Sequence, residues 1–110
     1  MDKETVIFSK ALADETRQRI LKLICCRWLA VNEIVAELNL TQPTISHHLA
    51  LLREAGLVLI RQEGKFTYYT LNQAHLVSCC GRLLINFAPQ SEISTLVQNH
   101  LDTSTSPKEP

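Results

Sequence analysis

The segment from Thr41 to Gly56 constrains the fold more than any other part of the chain, because it combines a helix start, a periodic body and a stop. Thr41 is a typical N-cap, Pro43 suits a first helical turn, and Gly56 supplies a left-handed stop. At 100° per residue the larger apolar side chains share one face with His48 at its edge, and small polar residues lie opposite. The segment therefore predicts one amphipathic helix with a polar outer face.

A shorter helix is predicted directly before it. Residues 32–38 place Ile34, Val35 and Leu38 at helical spacing, and residues 39–41 leave room only for a tight turn. Two helices joined in this way form a helix-turn-helix, whose second helix reads base edges in the major groove. The alternative is an ordinary amphipathic surface helix.

The period of the sequence changes after Gly56. Residues 57–62 and 66–71 are β-prone, and residues 63–65 form a turn, which predicts a β-hairpin. A hairpin behind a reader helix acts as a wing that places Arg61 and Lys65 over phosphates or a minor groove. A hairpin that only covers the core is the alternative.

The remaining helices complete the predicted order α-α-α-α-β-β-α(-α), a mainly α winged helix-turn-helix fold with a β-hairpin. We expect helices at 4–12, 15 to about 27, 73–87 and 91–101, an apolar connection at 28–31, one domain over 1–101 and a disordered tail at 102–110. The inward face of the helix at 73–87 is predicted to carry Leu76, Cys80, Leu83, Leu84 and Phe87. The terminal helices then have uncovered apolar faces. A homodimer would cover them and place two reader helices on a pseudo-palindromic site.

Composition limits the partners. The 11 basic and 11 acidic residues give a formal net charge of +0, which argues against sequence-blind binding to nucleic acid. DNA binding would need uneven charge, with Arg53, Arg61 and Lys65 near the DNA and acids such as Asp2 and Glu4 away from it. No run reaches the length of a membrane span and the N-terminus is unlike a signal peptide, so we expect a cytoplasmic protein.

The runs LADETRQRILKLI, EIVAELNLTQPTISHHLALLREAGLV and RQEGKFTYYTL resemble the ArsR/SmtB family of winged helix-turn-helix repressors. The resemblance covers about residues 5–75. It implies a homodimeric repressor that binds double-stranded DNA and releases it when an inducer, usually a metal or metalloid ion, binds. It also implies the base-reading residues, which are Gln42, Thr44, Ser46 and His47. His48 is expected to pack inward.

The sequence departs from the family at the usual sensing positions. The C-V-C run of arsenic sensors is replaced by Ala30-Val31-Asn32, and only His75 remains of the four zinc ligands on the helix after the hairpin. We therefore expect His75 to be a surface residue at the start of that helix.

Four cysteines form two adjacent pairs, Cys25–Cys26 and Cys79–Cys80. Cysteines of a cytosolic chain are more often reactive or metal-binding than structural. A dithiol suits arsenic(III), antimony(III) or a methylated arsenical, so all four are candidate inducer ligands. Arg27 and Arg82, which flank the pairs, are expected to lower a thiol pKa.

Other functions stay open. A peroxide sensor would use a vicinal disulfide or a bond such as Cys25–Cys79, and the cysteines could instead be small packing residues. A dithiol oxidoreductase would need C-x-x-C within a βαβ unit, which the sequence lacks, so no enzyme is expected. A winged helix that binds protein would be favoured by an acidic face around Ser46 and His47.

Overall fold

The computed structural model describes the backbone of residues 1–105 and the side chains of residues 1–100. The predicted order of elements is confirmed, with one strand added. The elements are α1 Lys3–Leu12, α2 Glu15–Leu23, β1 Leu29–Ala30, α3 Val31–Leu38, α4 Gln42–Glu54, β2 Val58–Glu63, β3 Phe66–Leu71, α5 Gln73–Phe87 and α6 Glu92–Thr105.

Helices α3 and α4 form the predicted helix-turn-helix. Asn39 ends α3 in the left-handed region with φ 56°, and its N–H donates to the Val35 carbonyl at 2.9 Å. Thr41 caps α4 by accepting a hydrogen bond from the Thr44 N–H at 3.4 Å. Gly56 follows the helix with φ 75°. A left-handed residue at each of these two points turns the chain sharply, which brings α4 against α3 and then into the hairpin.

The wing is part of a three-stranded antiparallel sheet in the order β1-β3-β2. Leu29 pairs with Tyr69, and Arg61 pairs with Tyr68. Gly64 opens the hairpin turn with φ 62°, a geometry that favours glycine. The segment 28–31 was expected to be a plain connection and is instead partly strand β1. A strand of two residues is too short to show the alternation by which strands are recognised.

The core lies between the helix-turn-helix, α1, α2 and the sheet. Its fully buried side chains include Phe8 of α1, Ile20 of α2, Ile34 of α3, Leu49 of α4 and Leu57 before β2. Because one apolar side chain from each of these elements meets in one cluster, the orientation of α4 is fixed by packing on several sides.

Helix α2 ends at Leu23, so the predicted end near Arg27 is wrong. The Ile24 carbonyl accepts hydrogen bonds from the Leu71 N–H at 3.0 Å and from the Thr70 hydroxyl at 2.8 Å. The Cys25 carbonyl accepts one from the Gln73 amide at 2.8 Å. These contacts with the end of β3 and the start of α5 draw the chain out of the helix. The first cysteine pair therefore lies in a turn rather than in a helix.

The inward face of α5 also differs from the prediction. Cys79 is fully buried, whereas Phe87 is 74% exposed. Leu76, Cys80 and Leu83 are only partly buried at the edge of the core. Helix α5 packs against α1, and this contact turns the most buried line of the helix by about one residue, or 100°, from the predicted stripe.

Helix α6 continues to Thr105, beyond the predicted end at residue 101. The backbone of 102–105 is therefore helical, which differs from the expected disordered tail 102–110, and the rest of that tail lies outside the described residues. No helix within the described range is long and apolar enough to cross a membrane.

Candidate DNA interface and the two cysteine pairs

The outer face of α4 carries the side chains that were predicted to read bases. Gln42, Thr44, Ser46 and His47 are all exposed. They lie on the first turns of the helix, where short polar side chains reach base edges and free backbone N–H groups face phosphate. The Thr44 hydroxyl accepts a hydrogen bond from the Thr41 hydroxyl at 2.8 Å and keeps its own proton for a partner. The arrangement suits a helix that enters the major groove.

Arg17 holds this helix in place, a role that the sequence analysis missed. Its Nε donates to the Ala11 carbonyl at 2.7 Å, and its Nη1 lies 3.2 Å from His48 Nδ1. Asp14 accepts a hydrogen bond from the Arg17 N–H, which lowers the pKa of that carboxyl. One guanidinium thus ties α1, α2 and α4 together. His48 is half-buried, as expected. In the sequence Arg17 is only a charged residue in the first turn of α2, which does not predict these contacts.

The cations of the wing and of the end of α4 are exposed, and one of them, Arg61, is positioned by contacts with neighbouring side chains. Arg53 and Lys65 are exposed. The Arg61 guanidinium lies 4.7 Å from the centre of the Trp28 ring and 5.6 Å from that of Tyr68. Its Nε also pairs with Glu63 at 2.9 Å. Arg61 is therefore positioned by its neighbours in the free protein, which the sequence did not predict.

Two of the acidic residues that were expected to lie away from this surface, Asp2 and Glu4, pair with α5, whereas Glu63 lies on the wing itself. Asp2 and Glu4 belong to the start of α1 and form ion pairs with Arg82 of α5, at 3.6 Å and 2.9 Å. The hydrogen bond from Arg82 to Glu4 raises the pKa of the guanidinium. Asp2 and Glu4 thus pair with Arg82 rather than with the exposed cations of α4 and the wing, although Glu63 offsets part of the charge of Arg61.

The cysteines of the first pair meet in the turn after α2. The sulfurs of Cys25 and Cys26 are joined as a vicinal disulfide. Cys26 is exposed and Cys25 half-buried. Cys25 also lines an apolar hollow of about 220 Å³, together with Leu21, Leu71 and Leu76. The pair is thus open to reagents on one side and borders an apolar space on the other.

The cysteines of the second pair lie within α5, and their thiols are expected to be poorly reactive. Both remain free thiols, with Cys79 buried and Cys80 half-buried. Burial raises the pKa of both thiols, and the nearby Arg82 opposes this at Cys79 without reversing it. Arg82 therefore acts on the pKa of Cys79 in the expected direction, but burial outweighs it and the net pKa is raised. A thiol with a raised pKa is a poor nucleophile and a poor metal ligand at neutral pH.

His75 is half-buried beside the core, so its assignment as an open surface residue is wrong. Its side chain is 17% exposed, and its Nε2 lies 3.4 Å from the Cys79 sulfur. The ring packs edge-on against Phe8 and lies so close to Gly56 that a Cβ there would be 3.0 Å from Nε2. The turn into α5 carries the ring toward α1 and the end of α4, a direction that local spacing did not reveal.

The four cysteines do not form one site within a protomer. Among the described residues no group of three or more His, Cys, Asp or Glu side chains is arranged to hold a metal ion. Each pair must therefore be judged separately, and of the four cysteines only Cys26, in the first pair, is exposed.

The comparisons with known proteins agree with this geometry. A family model described as "Bacterial regulatory protein, arsR family" matches residues 14–59. The arsenical resistance operon repressor of Escherichia coli is 38% identical over 93 residues, which are 82% of this chain and 79% of the relative. The arsenic resistance transcriptional regulator ArsR1 of Pseudomonas putida is 48% identical over 67 residues, which are 60% of this chain but 52% of the relative. The chain thus spans about half the length of that second relative.

A solved structure shows the same fold. The crystal structure of a possible transcriptional regulator for arsenical resistance has 33% sequence identity and a TM-score of 0.64, covering 84% of this chain and 94% of the other. The paired helices and the wing define a winged helix-turn-helix transcriptional regulator. The chain belongs to the ArsR family of DNA-binding repressors.

Proposed function

We propose that this protein is a homodimeric repressor of a pseudo-palindromic DNA site and that a trivalent arsenical, bound at Cys25–Cys26, releases it. The observation that supports this most directly is the pair of adjacent sulfurs in an open turn next to the wing. The DNA-binding half of the proposal uses the exposed polar face of α4. The inducer half uses the first cysteine pair alone.

The dimer is supported by uncovered apolar side chains on α1 and α5. Val6 and Ile7 of α1 are 39% and 41% exposed, and Val77 of α5 is 48% exposed. Helices α1 and α5 pack against each other, so these side chains belong to neighbouring elements. A second copy would cover them and place two α4 helices one DNA turn apart on the same face of the duplex.

The DNA contacts divide into two kinds. The residues that read base edges in the major groove are Gln42, Thr44, Ser46 and His47, because they are polar and exposed on the first turns of α4. Arg53, Arg61 and Lys65 contact phosphates and set the position of the protein on the duplex.

The reduced Cys25–Cys26 dithiol matches a trivalent arsenical that carries one organic group. Such a compound has two exchangeable oxygen ligands. Two As–S bonds form, two As–O bonds break, and two water molecules leave with the thiol protons. Inorganic arsenite favours three thiolates, and the described part of the protomer offers the pair no third ligand. The hollow of about 220 Å³ beside Cys25 has room for the organic group.

The experiment is a fluorescence anisotropy titration of a duplex from the protein's own upstream region. The reduced dimer binds first, and phenylarsine oxide or arsenite is then added. We expect release of the DNA at about one arsenical per protomer, with phenylarsine oxide acting at the lower concentration. Cys26→Ser abolishes release, because it removes one of the two sulfur ligands, and it leaves the exposed side chains of α4 in place.

The matched control is Cys80→Ser, which changes the other pair and keeps full release. Release that survives Cys26→Ser would contradict the inducer site, and failure of the wild-type protein to bind any duplex from that region would contradict the repressor.

A redox sensor is the second candidate, and the disulfide between Cys25 and Cys26 favours it. Peroxide would take two electrons from the two thiols, which lose their protons and form the S–S bond, while the peroxide is reduced to water. Release of DNA by peroxide alone, reversed by dithiothreitol, would establish this function in place of the arsenical.

A further inference from the structure

Three side chains form a row on the outer face of the sheet. Tyr68 of β3 lies directly opposite Arg61 of β2, so the two side chains point to the same face. Trp28, which directly precedes β1, reaches the same guanidinium from the other side of β3. Leu29 and Tyr69 form the neighbouring pair, whose side chains face the core. The guanidinium of Arg61 thus contacts two aromatic rings, one on β3 and one directly before β1.

The aromatic contacts leave the Arg61 guanidinium able to bind a phosphate. The Arg61 side chain is 45% exposed, and its other partner, Glu63, is 56% exposed on the same strand. A guanidinium over an aromatic face keeps its N–H groups in the plane of the group, where they can donate to phosphate oxygens. The rings therefore restrict where the cation lies without neutralising it.

The same tryptophan is joined to the cysteine pair by a short arch. The Ile24 carbonyl is fixed to Leu71 and Thr70, and Leu29 is fixed to Tyr69 in the sheet. Between these two fixed points the chain consists of residues 25–28, with both cysteines at one end and Trp28 at the other. A change of bonding at the sulfurs must be accommodated within this arch, because both ends are tied to β3.

We propose that Trp28 is a positioning residue that holds Arg61 for a phosphate contact, and that the bonding state of Cys25–Cys26 controls this contact through Trp28. The second half rests on the proposed function, because it needs a reagent that binds the pair. The arch thereby gives the inducer a route to the wing that does not pass through α4.

The first test measures DNA affinity without inducer, over a range of salt concentrations. Arg61→Ala is expected to weaken binding about tenfold and to lower the salt slope by about one per protomer. Trp28→Leu is expected to weaken binding about fivefold and to lower the slope as well. When Arg61→Ala is already present, adding Trp28→Leu is expected to weaken DNA binding by less than about a further twofold. Trp28→Phe restores most of the affinity, since an aromatic face is retained.

Equal losses from Trp28→Leu with Arg61 present and absent would overturn the positioning role, because a purely structural tryptophan acts regardless of the arginine. Trp28→Phe also guards against misfolding, since a variant that folds and keeps its affinity shows that the aromatic face matters.

The second test repeats the affinity measurements with phenylarsine oxide at saturation. The loss of affinity that the arsenical causes is expected to shrink in both Trp28→Leu and Arg61→Ala, because the wing contact is already gone. A loss as large as that of the wild-type protein in both variants would overturn the coupling and leave the proposed function intact. Absence of arsenical binding in the wild-type protein would overturn the proposed function and the coupling, while the affinities without inducer would still decide the positioning role.

Discussion

The two cysteine pairs have the same sequence but different surroundings. Cys25–Cys26 lies in a turn whose carbonyl groups are bound by β3 and α5, and its two sulfurs meet. Cys79–Cys80 lies in the middle of a helix, where adjacent side chains diverge by about 100° and the thiols stay apart. The backbone conformation therefore decides whether two neighbouring cysteines act as a dithiol.

Burial adds to this difference. Cys79 lies against His75 and α1, and burial raises its pKa and that of Cys80. Cys26 is exposed in the arch before the wing. A thiol must lose its proton to bind a metalloid, so a raised pKa lowers the fraction that can react. The second pair is better understood as packing that joins α5 to the core.

The sharpest way to break this comparison is to measure thiol reactivity. In the reduced native protein, iodoacetamide should label Cys26 at least about a hundredfold faster than Cys79, because a buried thiol reacts only when the structure opens. Trypsin places the two pairs on separate peptides, 23–27 and 66–82, so mass spectrometry after timed labelling gives both rates.

The control is the same labelling in urea, where the four cysteines should react at similar rates. Comparable rates for Cys26 and Cys79 in the native protein would mean that α5 opens readily, and the assignment of the second pair to packing would then be wrong.

The free energy of unfolding should depend more on Cys79 than on Cys26, which is the reverse of the order expected for thiol reactivity. Cys79→Ala should lower the free energy of unfolding by about 1–2 kcal/mol, because it removes a buried atom and the contact with His75. Cys26→Ala, the matched control, should stay within about 0.5 kcal/mol when both proteins are reduced. Urea unfolding followed by circular dichroism measures both, and equal losses would contradict the structural difference between the pairs.

Much of the fold follows from local signals. The cap at Thr41, the stop at Gly56 and the hairpin turn at Gly64 are properties of short segments, and the structure places each of them as predicted. The exposed positions of Ser46 and His47 follow from helical period alone. Local chemistry decides these features, so the sequence reveals them.

The features that were missed depend on contacts between distant segments. The early end of α2 results from hydrogen bonds to Thr70 and Leu71, which are far away in the chain. The burial of Cys79 results from packing against α1, and the position of Arg61 depends on Trp28. Periodicity reports which faces are apolar, but it does not report which partner covers them.

The smallest expected effect is in the dependence of stability on pH. Burial raises the pKa of Cys79 above its value in the unfolded chain, which is about 8.5. Between the two values the unfolded chain binds fewer protons than the folded one, so the free energy of unfolding falls as pH rises through that window. The contribution is complete below the unfolded pKa. Cys79→Ala should show a shallower decline from pH 7.5 to pH 9, by less than about 1 kcal/mol.

Cys26→Ala is the control, because it keeps the buried thiol and should decline like the wild-type protein. Urea unfolding at several pH values in the presence of reductant provides the comparison. Equal slopes for all three proteins would show that Cys79 ionises in the folded protein as it does in the unfolded chain. In that case burial would not explain why the second pair fails to bind the arsenical. The separation of its two sulfurs on the helix would then be the remaining explanation.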